Sequence, residues 1–217
     1  MFILLASATY NEINTTINWL KSIEGETDNN ETEVLITGVG STAAAYSLTR
    51  QIQKRTPELI IQAGIGGSFS DRYQPTTVLA VKEDVFADLG AYSSEGFDDI
   101  FDLGLASSSE KPFTNRMLLN EEAQRWNVLS LPLVRGATIN RISSQRYEVE
   151  SILKKYSPDV ESMEGAALHY VCILEGIPFF QIRAVSNFVG ERDKKRWKMK
   201  EAIDELNKSL RRMINEI

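Results

Sequence analysis

The sequence predicts an α/β fold built on a largely parallel central sheet. Three short apolar runs near its start carry that reading: FILLASAT (2–9), VLITGVGS (34–41) and ELIIQAGIGGS (58–68). Each ends in polar or glycine-rich residues, and helical patterns lie between them, as in sheets whose strands are covered on both faces. With 217 residues, 42% hydrophobic and 25% charged, the chain suits one domain over 1–217 with a substantial core.

Taken in order, the first run passes into Tyr10-Asn11-Glu12, and the opening MFILLASATYNE is too short and lacks the basic region of a signal peptide, so it reads as a strand. The second run enters a glycine turn and then the helix STAAAYSLTRQIQK. The third ends in what reads as a second glycine turn, GIGGS, and TTVLAVKEDVFAD (76–88) follows as another strand. Residues 93–115, rich in Ser, Asp and Gly, read as a long loop. Met163, Ala166, Ala167, Tyr170, Val171 and Leu174 recur at helical spacing, and Gly176 and Pro178 end that helix. FFQIRAVSN (179–187) is a further strand, and Met199, Ile203, Leu206, Leu210, Met213, Ile214 and Ile217 form the apolar stripe of a last helix. The basic run 192–200 reads as the start of that helix's solvated face.

Composition narrows the function. A net charge of −6 argues against a nucleic-acid partner, and no run approaches the ~18 apolar residues of a membrane span. A single cysteine, Cys172, excludes an internal disulfide and fits a reducing cytoplasm. With one histidine and one cysteine there is no metal-ligating cluster, and His169 and Cys172 both read as structural residues of the 163–174 helix. The segment Gly38-Val-Gly40-Ser-Thr-Ala43 follows the second strand rather than the first and lacks the partner acid of a dinucleotide fingerprint, so no cofactor is expected. A turn that brings backbone close to a sugar or an anion is the better reading of it.

Ligands of open α/β sheets bind beyond the carboxyl ends of the strands. Those ends carry Glu12, the two glycine segments, Asn187 and the Glu164 helix start. Gly165, directly behind Glu164, implies a close approach, because glycine in a helix costs ~1 kcal/mol relative to alanine. Two carboxylates without a metal suit cleavage of a glycosidic bond, one activating water while another group binds sugar hydroxyls. Asn187 is the amide available to a purine leaving group.

Asn11-Glu12 after the first strand, Gly64-Ile-Gly66-Gly67-Ser68, Met163-Glu164 and Arg183-Ala-Val-Ser-Asn187 together resemble the nucleoside phosphorylase/nucleosidase superfamily over nearly the whole chain. That resemblance implies a three-layer α-β-α fold around a mixed, largely parallel sheet, with Glu12 as the water-activating base and Met163 and Glu164 on the ribose. It also implies that Gly66, Phe86, Thr138 and Ile139 line the base pocket and that Ser68 adds a substrate contact. Adenine-specific nucleosidases carry aspartate where this chain has Asn187, and an amide can bond both N7 and a 6-oxo group. Asp84-Val-Phe-Ala-Asp-Leu-Gly90, Glu95-Gly-Phe97 and Ser186-Asn187-Phe-Val-Gly-Glu-Arg192-Asp193 look most like the futalosine hydrolase family, which releases hypoxanthine from futalosine in a menaquinone pathway. The implied partner is a small purine nucleoside, and the implied assembly is a homo-oligomer, a dimer or higher. A purine nucleoside phosphorylase, a methylthioadenosine/S-adenosylhomocysteine nucleosidase and a non-catalytic nucleoside-binding protein stand as alternatives. For the carboxylate on the substrate tail, Arg116, Arg141 and Arg146 are the candidate partners.

Overall fold

The computed structural model describes residues 1–23, 30–94, 96–142 and 145–217. Along the first half run β1 (Phe2–Ser7), α1 (Tyr10–Ser22), β2 (Glu31–Ile36), α2 (Ser41–Lys54), β3 (Leu59–Ser68) and β4 (Val78–Asp84). A hairpin of β5 (Gly90–Ser93) and β6 (Gly96–Asp99) follows, then β7 (Leu118–Leu119), α3 (Ala123–Trp126) and β8 (Leu133–Thr138). The last part holds α4 (Arg146–Tyr156), β9 (Val160–Ser162), α5 (Gly165–Glu175), β10 (Phe179–Phe188) and α6 (Met199–Glu216).

Side-chain alternation along the central strands creates the layers. In β1, Ile3 and Leu5 pack with Ile13 and Ile17 of α1 and with Leu206, Leu210 and Met213 of α6. Leu4 and Ala6, one residue out of phase, pack with Leu48 and Ile52 of α2 and Leu168 and Val171 of α5. A strand with helices on both faces has no polar face, which is why β1 reads as an unbroken apolar run. The outcome is the expected three-layer α/β arrangement.

The main sheet runs β10-β4-β8-β9-β3-β1-β2, with β7 on β4, and β10 also pairs with β3. Five strands, β3, β10, β4, β8 and β9, therefore form a closed ring, and β1 and β2 extend from it. β1 is parallel to β2 and β3, while β9 is antiparallel to β3 and β4 is antiparallel to β10. On one edge of β3 the pairing with β1 ends at Gln62, and the pairing with β9 starts only at Gly67. The sheet divides over the intervening residues, and the glycines of GIGGS lie within this strand rather than in a turn. Each is small because something crosses it. A Cβ on Gly66 would stand 2.7 Å from the Glu161 carbonyl oxygen, and one on Gly67 would stand 3.0 Å from Val189 Cγ2.

Two other sequence expectations change. The 93–115 loop begins with a hairpin whose Tyr92 and Phe97 rings sit 5.1 Å apart, and Arg116, Lys155 and the Tyr156 hydroxyl anchor it at the buried Asp99. Glu95, one of the motif residues, lies outside the described residues. β8, α4 and β9 lacked a long enough periodic pattern to be anticipated. The basic run before the last helix forms an exposed 3-10 turn, Lys194–Arg196, and α6 begins only at Met199. Among the described residues no helix is long and apolar enough to cross a membrane.

Because Glu161 is backbone at its contact with Gly66, a methyl group there cannot be absorbed by rotating a side chain. Gly66→Ala should cost ~1–3 kcal/mol, the usual range for overpacking. Urea denaturation reads this directly, and an unchanged midpoint would refute the tight crossing of β9.

Candidate active site

Glu12 stands where the sheet divides. It is N3 of α1 in a capping box with Thr9: its Oε2 accepts from the Thr9 N–H at 3.0 Å and the Thr9 hydroxyl at 2.9 Å, and more distantly from Ser7 Oγ at 3.4 Å. Its Oε1 accepts from the Ile65 N–H at 3.0 Å. Ile65 lies in the part of β3 between its two edge partners, so a side chain answers the donor that no strand reaches there. The carboxylate is thus asymmetric. Oε2 serves three donors from Ser7 at the end of β1 and Thr9 at the helix start, while Oε1 keeps acceptor capacity on the side of Gly64. Capping and a chemical role are compatible here because they use different oxygens.

Gly64 leaves the room in which Oε1 and the Arg183 guanidinium approach each other. A Cβ on it would stand 3.0 Å from Glu12 Oε1 and would collide with Nη1 of Arg183. Arg183 is buried, and its Nη1 lies 3.5 Å from Glu164 Oε2 while Nη2 donates to Gln62 Oε1 at 2.8 Å. Glu164 is the N-cap of α5, not a residue of its first turn, and its Oε1 accepts from the Gly40 N–H at 3.0 Å. Gly40 reaches that position with φ +92°, a conformation glycine adopts without strain. The anion approached by the GVGS turn is therefore a side chain of the protein itself. Met163, partly buried beside Glu164, accepts through its carbonyl from Ser41 Oγ at 3.3 Å. Glu12, Gly64, Arg183, Glu164, Met163 and Gly40 thus form one constellation.

A buried polar chain lies behind Arg183. Nδ1 of His169 is 2.8 Å from the Leu118 carbonyl, which can only accept, so the proton is on Nδ1 and Nε2 is an acceptor. The Gln181 amide satisfies all its neighbours in one orientation: its nitrogen donates to His169 Nε2 at 2.8 Å and to Asp84 Oδ2 at 3.3 Å, and its oxygen accepts from Arg183 Nε at 3.2 Å. Asp84 Oδ1 accepts from Thr138 Oγ1 at 2.9 Å and from the Val85 N–H at 2.8 Å. Thr138 Oγ1 in turn accepts from the Ala166 N–H at 2.7 Å, at the start of α5. This explains Gly165: a Cβ there would collide with both Asp84 and Gln181. The close approach implied by that glycine is made by a buried acid of the protein.

The residues expected at the base each have a defined setting. Asn187 follows a register shift in β10 between Val185 and Asn187, an irregularity of the kind that re-aims side chains. Its Nδ2 donates to the Phe188 carbonyl at 2.9 Å, and its Oδ1 lies 2.7 Å from Ser186 Oγ, which also lies 3.1 Å from the Gly66 carbonyl. One hydrogen of Nδ2 is left for a ligand. Gly66 contributes that carbonyl and the β9 crossing. Phe86 is partly buried, its ring 6.0 Å from Tyr170. Thr138 is fully buried, with its hydroxyl between Asp84 and α5, and Ile139 sits in an apolar cluster with Val85, Ile152 and Tyr156. Ser68 donates its hydroxyl to the Ser70 carbonyl at 2.8 Å. The structure thus places Glu12 and Arg183 at Gly64, with Glu164 on Arg183 and Met163 beside it in the chain, and gives Thr138, Ile139 and Ser68 partners within the fold. Among the tail candidates, Arg116 meets Asp99 and Asp102, Arg141 meets Glu148 and Arg146 meets Glu150.

Sequence reading gave no role to Arg183, Gln62, Gln181 or Asp84. The available signal was a set of polar residues inside strand runs that otherwise read as apolar. Burial pushes the Asp84 carboxyl up to about 6, against the pull of Thr138, Val85 and Arg183. Burial holds the His169 imidazole down to about 4, and it raises the Cys172 thiol, so neither side chain is poised as a cation or a nucleophile. Opposite effects on stability follow. Asp84 binds its proton more tightly in the folded state, so its contribution falls as pH rises from 3.8 to about 6. His169 binds its proton more weakly, so its contribution rises from about 4 to 6.5. Relative to the parent protein, Asp84→Asn should gain stability as pH rises through this window, and His169→Asn should lose it. Urea midpoints at several pH values test both slopes, and a pH-independent difference for either variant would contradict the titration assigned to that group.

The model of the phosphorylase superfamily matches residues 12–217. The chain is 30% identical over 184 residues to the futalosine hydrolase of Thermus thermophilus, covering 84% of this chain and 80% of that protein. It is likewise 30% identical over 162 residues to the 5'-methylthioadenosine/S-adenosylhomocysteine nucleosidase of Staphylococcus aureus, covering 71% of this chain and 68% of that one. The native structure of futalosine hydrolase of Helicobacter pylori superposes with a TM-score of 0.82 at 15% identity, over 100% of this chain and 98% of that chain, a likeness of fold. With the match running from Glu12, the acid at the division of the sheet, to Ile217, the chain belongs to the phosphorylase superfamily.

Proposed function

We propose that the protein is a single-domain nucleosidase that hydrolyses the N-glycosidic bond of futalosine, releasing hypoxanthine and dehypoxanthine futalosine in menaquinone biosynthesis. The observation that carries the chemistry is the approach of two carboxylates to one guanidinium: Glu12 Oε1 and Arg183 Nη1 both stand over Gly64, and Glu164 Oε2 lies 3.5 Å from that Nη1. Similarity to named futalosine hydrolases supports the substrate.

In this reading Glu12 Oε1 takes a proton from the attacking water, as Oε2 remains with Thr9 and holds the carboxylate in place. Glu164 accepts hydrogen bonds from the ribose diol, and these strengthen as positive charge develops on the sugar. Arg183 orients Glu164 through their 3.5 Å ion pair, while Gln62 and Gln181 fix its guanidinium. Asn187 offers its remaining amide hydrogen to N7 or O6 of the departing purine, which preserves a 6-oxopurine preference. Phosphate is not the acceptor in this scheme. Glu12 would repel the dianion, and the nearby Arg183 is already committed to Glu164 and Gln62. The exposed Val39 and Tyr46 beside the Gly40 turn fit a homo-oligomer with its site near the interface, and the buried thiol of Cys172 fits a cytoplasmic setting.

Base release from futalosine, inosine and an adenine nucleoside, each with and without phosphate, tests the proposal. Hydrolysis independent of phosphate and favouring the hypoxanthine nucleosides is expected, by roughly ten- to a hundredfold if one buried polar group is left unmatched by adenine. Phosphate-dependent cleavage would assign the protein to the phosphorylases instead. Glu12→Gln should lower turnover ~10²–10⁴-fold with substrate binding retained, and Asn187→Asp should shift preference toward adenine. Full turnover in Glu12→Gln would remove the general base from this scheme.

A further inference from the structure

The buried stripe of α6 contains one amide among its apolar residues. Ala202, Leu206, Leu210, Met213 and Ile214 are the buried apolar members, and Asn207 lies between them with 1% of its surface exposed. All its hydrogen-bonding capacity is used. Oδ1 accepts from the Thr16 N–H at 2.9 Å and from the Thr16 hydroxyl at 2.7 Å. Nδ2 donates to the Glu12 carbonyl at 2.8 Å and to the Ile203 carbonyl at 2.8 Å. The Thr16 N–H and the Glu12 carbonyl are the two groups that a regular α-turn joins to each other. The amide of a distant helix therefore spans one turn of α1, and that turn begins at the residue whose carboxylate meets Ile65 and Gly64.

We infer that Asn207 is a positioning residue that holds the main chain of Glu12 and so sets where Oε1 stands over Gly64, an inference that rests on Glu12 as the general base. The polarity of the contact supports this. A leucine would fill the same place in the stripe, as Leu206 and Leu210 do, without gripping α1. An amide presents a donor to the carbonyl and an acceptor to the N–H, so it fixes both the height and the rotation of the turn. Glu12 is then held on two sides, by Asn207 through its backbone and by Thr9 and Ile65 through its carboxylate.

The test is a double-mutant cycle on futalosine hydrolysis, measured at steady state. Asn207→Leu, or Asn207→Ala if the leucine variant does not fold, should lower kcat about ten- to a hundredfold, the scale of a misplaced catalytic group, with KM within about twofold. In the Glu12→Gln background the same change should cost no further activity, because the group it positions has already lost its basicity. Leu210→Ala, a change in the same stripe that removes no hydrogen bond to α1, should lower the melting temperature and leave kcat unchanged. A parental kcat in the Asn207 variant overturns the inference, and so does an equal loss in both backgrounds, which would mark general damage. Full activity in Glu12→Gln alone overturns the assignment of the base, and this inference with it, and is distinguishable from the other two outcomes.

Discussion

A strand that changes partners within its length leaves main-chain groups that no neighbouring strand can reach. On one edge of β3 the pairing with β1 stops at Gln62 and the pairing with β9 starts at Gly67, and the Ile65 N–H lies between. A buried, unanswered donor is costly, by ~1–3 kcal/mol. The chain answers it with a carboxylate, Glu12, brought there by the first turn of α1. Gly64 lies in the same divided stretch and lets Glu12 and Arg183 approach it, so the main-chain vacancy, the acid that fills it and the meeting of acid and guanidinium share one origin.

Around this point charge is compensated in layers. Arg183 would be very unfavourable if buried alone. Glu164 stands on one side of it, and Gln62 and Gln181 hold its remaining nitrogens. Beyond Gln181, Asp84 and His169 set the direction in which that amide points, because both present acceptors to it. The chain of hydrogen bonds therefore has one polarity, from the Arg183 N–H through the Gln181 carbonyl and then from the Gln181 amide to the acid and the imidazole. Such a network admits few alternatives, which suits a site whose groups must keep their places through a reaction. Glycine at 64, 136 and 165 is the steric condition for it, since a Cβ at any of them would intrude on Arg183, Asp84 or Gln181.

Much of the fold was legible because helices on both faces make the central strands read as apolar runs, and because α6 carries a long stripe at helical spacing. The 133–162 region was not legible. β8 and β9 have six and three residues, too few for a period to emerge, and they are strands because β4 and β3 lie beside them. Glu12, Glu164, Met163 and Asn187 were candidates from their placement at element ends and from family resemblance. Arg183 and Asp84 stood in quoted motifs without a role, and Gln181 and Asn207 went unnoticed, because a polar residue inside an apolar pattern carries no sign of what it will meet.

The sequence by itself determined which segments become helices and central strands, since burial on one or two faces is written in the local order of apolar residues. It also determined that acids and glycines would gather at the strand ends. Only the tertiary structure decided which glycine admits which neighbour, that GIGGS remains in a strand, and which oxygen of Glu12 is left free of its cap. Those outcomes depend on contacts between residues far apart in the chain, such as Gly165 with Asp84, Glu164 with Gly40 and Asn207 with Glu12. Local periodicity describes one element at a time, whereas a hydrogen bond between two elements exists only once packing has set their separation and register.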